Sequence, residues 1–434
     1  MPNIASESNS YNRQGDYELL RLEITSNRGG SPIDLTPQFI DLVLYETIFD
    51  TKMIGEVAIL DSLNYSETIP ITGNETLRIT YKTKGADYPI DIIGRVFTIF
   101  GKSRTTNEKS EVYKMQFVSE VQYQNSKVKI CCSKKGTMDK IVKSIFAENF
   151  GWTNTKLELD PVSNKNFQFI FPYWSPLYSM NWLSNRCFAP GHQNSRGPSY
   201  YTFYEDVDGF HFVDLVARSA LPVTRTYRFE PNNANNISDV NLYFEKVQDY
   251  NVSSYFDRLL EHKTGMYSGY LMTHDITKKK MEYQEFDYHS TFDKAIHLND
   301  EKLISNSDRE LVDSKLGFVN YFPIQTRGFD GIDRNDNPQD YFSERASTIR
   351  QFNTIKLSLL VNGNSTLRLL DVINFEIPKI GYMQSTEKDW EDIYLGGKYI
   401  ITSLKHTINR DAGYSTTMEL AKDSLIKGIP DSFE

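Results

Sequence analysis

Residues able to do chemistry are scattered along this chain, and each grouping that suggests a reaction lacks a part it needs. Gly101-Lys102-Ser103 follows an apolar run and has the form of the end of a phosphate-binding loop. That loop requires a glycine five residues before Gly101, where Val96 stands, and a helix after it, where a second alternating run begins instead. Asp333, Asn335, Asn337 and Glu344 fall at the first, third, fifth and twelfth places of a calcium loop. The sixth place is Pro338 rather than the glycine that turns the chain, so a polar surface loop is expected.

The seven histidines include no H-E-x-x-H pair, and His262, His274, His289 and His297 follow no ligand spacing. His211 lies between Phe210 and Phe212 in a strand pattern and so faces away from both; a solvated strand face is expected for it. Cys131, Cys132 and Cys187 supply neither a C-x-x-C pair nor a disulfide framework, which fits a reducing compartment. No G-x-S-x-G elbow occurs. Lys278-Lys279-Lys280 reads as a solvated run. No catalytic, cofactor-binding or metal-ligating residue is assigned on these grounds, and no cofactor is expected.

The elements that would have to position such residues are mainly strands. Ile40, Leu42 and Leu44 are two apart, and Leu77, Ile79 and Tyr81 alternate with Arg78, Thr80 and Lys82. Runs at 91–100 and 112–121 flank a polar loop, and Tyr113, Met115 and Phe117 share one face of the second run. Two helices follow. Met138, Ile141, Val142, Ile145 and Phe146 form one stripe with Gly151 at the stop; Leu177, Met180, Leu183 and Cys187 form the other, opened by Ser175-Pro176 and closed by Pro190-Gly191. The polar set His192, Asn194 and Arg196 then sits in a loop suited to an interface. It leads into an aromatic hairpin, 200–205 and 210–214, turned by Asp206-Val207-Asp208-Gly209.

Polar, Asn-rich spans at 228–241 and 323–337 read as boundaries. A helix is expected over 341–352, then strands at 355–361, 371–378, 398–408 and 414–420. GNETLR from Gly73 and GNSTLR from Gly363 echo one another, each read as a Gly-Asn turn feeding a strand, which weakly supports a duplicated β module.

The totals agree with this pattern. The chain has 434 residues, 39% of them apolar, 13% aromatic and 24% charged, enough for two to four domains of roughly 100–200 residues. The net charge of -9 argues against a dedicated nucleic-acid binder. No apolar run approaches the ~20 residues of a membrane helix, and the N-terminus lacks a signal-peptide layout, so a soluble protein made in a cytoplasm is expected, without membrane insertion.

The order of these pieces resembles the central baseplate hub proteins of contractile-tailed bacteriophages and, more distantly, the hub part of VgrG spikes in type VI secretion. Five stretches carry the likeness: Leu42 to Thr83; SPLYSMNWLSNRCF (175–188) with YYTFYEDVDGFHF (200–212); Gly265 to Tyr288; Ser343 to Pro378; and Gly396 to Ser424. One departure stands out. Where the family tends to have glycine before the Asp371-Val372 pair, this chain has Leu370, which leaves the turn there open.

The resemblance implies a β-rich α+β fold of two similar antiparallel β-barrel (tail-hub) domains with inserted mixed α/β regions. The expected division is a polar arm 1–15, a first barrel 16–131, a mixed α/β domain 132–205, the start of a second barrel 206–262, an insertion 263–342, the rest of that barrel 343–425 and a tail 426–434. It also implies a homotrimeric ring in the virion's tail baseplate, assembled in the host cytoplasm. The ring would adapt a six-fold tail tube to a three-fold spike within the surrounding baseplate proteins, while DNA passes without specific binding. The alternative from the residues themselves is a baseplate-associated enzyme cleaving glycan or peptidoglycan, or a glycan-binding module, since aromatic surfaces also suit sugars.

Overall fold

The computed structural model describes residues 15–68, 71–105, 109–163, 165–190, 198–229, 244–305, 307–313, 315–325, 336–380 and 390–430. The interface loop with His192, Asn194 and Arg196 lies outside them, as do Asp333, Asn335, most of both polar spans and most of the N-terminal arm.

Seven strands come first: β1 (Tyr17–Thr25), β2 (Ile33–Asp34), β3 (Phe39–Thr47), β4 (Ile54–Asp61), β5 (Thr76–Thr83), β6 (Ile90–Arg104) and β7 (Glu111–Ser119). Period-two alternation sends Leu42, Leu44, Leu77, Ile79, Tyr81, Tyr113, Met115 and Phe117 into one core. Phe117 explains two glycines. A Cβ at Gly55 would lie 1.9 Å from its ring and one at Gly94 would lie 2.6 Å from it, so the ring fits only between bare backbones. The last strand stops before Val121, because Ser119 accepts from the Gln122 amide and caps a short helix, Glu120–Asn125.

A mixed region follows, with β8 (Ser133–Gly136), a helix Met138–Phe150, β9 (Leu157–Leu159), β10 (Phe167–Ile170), a helix Pro176–Ser184, β11 (Tyr201–Asp206) and β12 (Gly209–Asp214). Both helix stripes are buried in a second core. Two expected stops move. Gly151 keeps a right-handed φ of -56° and continues as a 3-10 turn, and Asn154, at φ 57°, supplies the left-handed residue. The second helix ends at Ser184, one and a half turns before Pro190.

The remaining strands are β13 (Arg225–Arg228), β14 (Val247–Tyr255), β15 (Ser268–Asp275), β16 (Lys280–Asp287), β17 (Val319–Ile324), β18 (Ile355–Asn362), β19 (Val372–Glu376), β20 (Gly397–Asn409) and β21 (Gly413–Lys422). A helix Phe342–Thr354 precedes β18. Strands β15 to β17 form a separate sheet ordered β16-β15-β17.

Thirteen strands from both ends of the chain form one sheet, ordered β14-β18-β21-β20-β3-β4-β7-β6-β5-β1-β2, with β13 and β19 branching from β20. The join is β20. Its first residues pair with β19 (Val372↔Ile400), and from Ser403 onward it pairs with β3 (Ser403↔Thr47 to Asn409↔Asp41). The partner changes at a bulge between Ile401 and Ser403, where Thr402 accepts the Ile48 amide through its carbonyl. A third core, including Leu357, Leu359, Ile400 and Leu420, lies beyond it. The architecture is β-rich α+β with a large, mainly antiparallel sheet, and among the described residues no pairing joins its two ends.

Candidate functional site

The β11–β12 hairpin reaches all three cores. Tyr201, Phe203, Phe210 and Phe212 belong to the mixed-region core, Tyr204 and Val213 to the core beyond β20, and Val207 at the turn packs against the first. Alternation makes this possible, since successive residues of a strand serve opposite faces. The turn is held by Asp206, whose Oδ1 accepts the Asp208 and Gly209 amides. Thr202 Oγ1 donates to the Ile48 carbonyl, and Arg345 donates to the carbonyl of Tyr201 and to Asn185. The aromatic stretch is a joint between modules.

Ionisable groups thread this joint. His211 faces away from Phe210 and Phe212 as its place in the strand requires, but it is not solvated, with a side chain only 14% exposed. Its Nδ1 lies 2.6 Å from Glu158 and its Nε2 2.9 Å from Asp206, and its ring stacks on Tyr204. A neutral imidazole can donate from one nitrogen only, so two carboxylates call for the doubly protonated ring. Burial opposes that charge, but the bonds and charges of Asp206 and Glu158 outweigh it and raise the pKa above 6.5. Arg218 continues the chain to Glu158 and Asp160, and Asp208 pairs with Arg368.

Two carboxylates at the joint point inward. Glu46, on β3, is 1% exposed, and neither of its oxygens makes a well-formed hydrogen bond, the Val207 amide being its nearest donor. Burial first and then Asp206 hold its pKa well above the carboxylate range, against the pull of Arg368 and the Val207 amide. Glu205 accepts the Met53 amide, and burial pushes its pKa up to about 8. A visible signal marks both. Glu46 continues the inward pattern of Leu42 and Leu44, and Glu205 that of Tyr201 and Phe203. Nearby, Tyr414 donates to or accepts from His406 at 2.7 Å, and burial takes His406 down to about 3.

A cleft of about 530 Å³ opens beside the joint, lined by Glu158, Asp160, Tyr201, Asp214, Arg218 and Leu221 among others. Its charges are matched to one another: Asp160 also accepts the Asp214 amide, and Asp214 accepts the Tyr200 and Val216 amides. Burial raises Asp214 to about 6, against the pull of the two amides on its Oδ1.

The other sequence candidates do not converge. Lys102 binds Glu111 and Ser66 on a hairpin. Asn337 caps the turn Pro338–Asp340. His297 binds Asp423, and His274 binds the Tyr321 hydroxyl. Lys278 to Lys280 are exposed at the β15–β16 turn, where Lys278 pairs with Asp275 and Lys280 with Glu282. The Cys187 thiol is buried against Met138, and its pKa is raised. Among the described residues no three His, Cys, Asp or Glu side chains are grouped to hold a metal, and no helix is long and apolar enough to cross a membrane.

This sheet shared by two modules, with a mixed region keyed into the joint, is similar in fold to solved phage tail proteins and to a VgrG-containing complex. The particular likenesses are to the tail protein from Neisseria meningitidis MC58 (TM-score 0.56, 8% identity, 94% of this chain and 97% of that one) and the prophage MuSo2 43 kDa tail protein from Shewanella oneidensis (0.54, 9%, 93% and 99%). A Francisella PdpA–VgrG complex is also similar (0.50, 12%), over 98% of this chain and 55% of that one. The resemblance to tail hubs and VgrG seen in the sequence therefore holds as a likeness of fold. No family model matches the chain, and no curated protein does.

Proposed function

We propose that this chain is a structural tail component of a virion, the baseplate hub of a contractile tail, and not an enzyme. The carrying observation is the single sheet that passes through β20 from one module into the other, a fold that matches a tail protein over nearly the whole of both chains. We read the two halves of that sheet as two barrel-like modules, over 16–131 and over 206–262 with 343–425, with the mixed region 132–205 and the insertion 263–342 between their parts. Two like modules in each of three subunits supply six similar positions, which suits a six-fold tube on one face and a three-fold spike on the other. DNA would pass through the ring without specific binding. The joint supports a structural role because its cations, His211, Arg218 and Arg368, are spent on its carboxylates Glu158, Asp160, Asp206 and Asp208. Light scattering or native mass spectrometry on the purified chain is expected to give a mass near three chains, and a six-membered ring would sink the adapter.

A further inference from the structure

The turn of the β11–β12 hairpin closes over Glu46, a carboxyl group with little to hold a charge. Glu46 follows Leu44 on the inward face of β3, opposite Leu404 of β20, and is buried without a well-formed hydrogen bond. The groups that face it are already committed. Arg368 donates to Asp208 at 2.6 Å and to the carbonyls of Ser365 and Leu367 at 2.8 and 2.9 Å, and its amide is held by Asp371. Asp206 Oδ1 accepts the Asp208 and Gly209 amides and lies 2.9 Å from His211. From β5 and β21 come Tyr81 and Tyr414, and from β20 comes His406, which burial strips of its charge. One guanidinium thus faces the carboxyls of Glu46, Asp206, Asp208 and Asp371.

A charge on Glu46 would be buried beside other carboxylates with no hydrogen bond to compensate it, so the seated turn requires the neutral acid. If the proton leaves, one side of the contact must yield. Strand β3 is paired on both sides, with β4 and with β20. The turn is held more lightly, by Val207 packed against the first core and by the bridge from Asp208 to Arg368. We infer that Glu46 is a proton-operated latch: protonated, it lets the turn Asp206-Val207-Asp208-Gly209 seat between the two modules, and loss of the proton to solvent drives the turn out. The sign follows from linkage. A carboxyl whose folded pKa is raised favours the seated state fully below its unfolded value near 4.5, and that gain is lost as pH rises through the folded value. The latch belongs to the single chain and does not depend on a ring.

The test is hydrogen exchange of the full chain, read by mass spectrometry on peptides across residues 201–214, at pH 6 and pH 9. The natural sequence is compared with Glu46→Gln and with Glu46→Leu, which removes the carboxyl without asking for any hydrogen bond. Protection is taken relative to the unfolded chain at each pH, and thermal melts at pH 6 check that each variant folds. The natural chain is expected to lose protection at Val207, Asp208 and Gly209 between the two pH values, while peptides of β3 keep theirs. The folded variants should lose about tenfold less, the factor that one unit of pKa difference carries. A loss of equal size in the natural chain and in a folded variant would overturn the latch and give the opening to His211 and Glu205, which titrate on the same hairpin. A natural turn that stays protected at pH 9 overturns it as well.

Discussion

At the scale of residues, His211 is the most informative side chain. Its place between two phenylalanines is legible from alternation, but its partners come from β9 and from the hairpin's own turn, 53 and 5 residues away. The sign of its effect follows from linkage. A histidine whose folded pKa is raised contributes stability that is fully present below its unfolded value near 6.5 and is lost as pH rises through the folded value. Glu205 acts in the same direction, because a buried carboxyl with a pKa of about 8 favours the fold while it is protonated, and that gain fades as pH rises from about 4.5 to about 8. His211→Gln is therefore expected to cost about 1–3 kcal/mol at pH 5.5, since hydrogen bonds to charged groups contribute that much. The deficit should narrow by pH 9. Urea melts of both proteins at the two pH values check this, and a deficit that does not change with pH would mean the ring is uncharged.

At the scale of elements, the turn before β19 answers a question the sequence leaves open. Leu370 stands where the resembled family tends to have glycine, and its φ is +66°, the left-handed region that favours glycine. Leu370 is nonetheless kept in the core, 3% exposed, with its amide donating to the Ile401 carbonyl. The strained backbone and the buried side chain oppose each other. A left-handed non-glycine residue costs about 1–2 kcal/mol, and truncating a buried leucine costs about 3–5 kcal/mol. Leu370→Gly should thus be less stable than the natural chain but more stable, by about 1 kcal/mol, than Leu370→Ala, which keeps the strain and loses the packing. Denaturant midpoints that rank alanine above glycine would show that the left-handed turn is not retained in solution.

The same region corrects the GNETLR and GNSTLR echo. Gly73 and Asn74 are both left-handed and lead into β5, whereas Gly363 and Asn364 are not, and residues 366–369 form no strand. The second copy instead docks on the end of β5, where the Ser365 amide donates to Thr83 Oγ1 and the Thr83 amide to Ser365 Oγ. The short match marks a contact and gives no structural support for a duplication.

At the scale of the whole molecule, the proposed passage of DNA constrains the charge. Each phosphate held by a Lys or Arg releases counterions and makes binding steeply salt-dependent. The chain is acidic overall, and many of its basic side chains are paired, as Arg78 is with Asp91, Lys114 with Glu56 and Arg368 with Asp208. The oligomer is accordingly expected to show no tight binding of duplex DNA by fluorescence anisotropy, even at low salt. Strong binding that weakens steeply on adding salt would contradict a channel built to let DNA slide.

The sequence by itself determined the local structure. Period-two runs such as Leu77-Ile79-Tyr81 and Ile355 to Val361, the 3.6-period stripes, the Ser175-Pro176 helix start and the Asp-Val-Asp-Gly turn are set by neighbours within a few residues, and they fold where those patterns place them. Helix ends were less legible, because Gly151 can take a right-handed conformation as easily as a left-handed one and the following residues decide. Only the tertiary structure decided that β20 would leave β19 for β3, that one hairpin would enter three cores, and that Glu46, His211 and Arg368 would meet around its turn. These contacts join residues far apart along the chain. Their energies depend on burial and on which charges lie opposite, and no local pattern records either quantity.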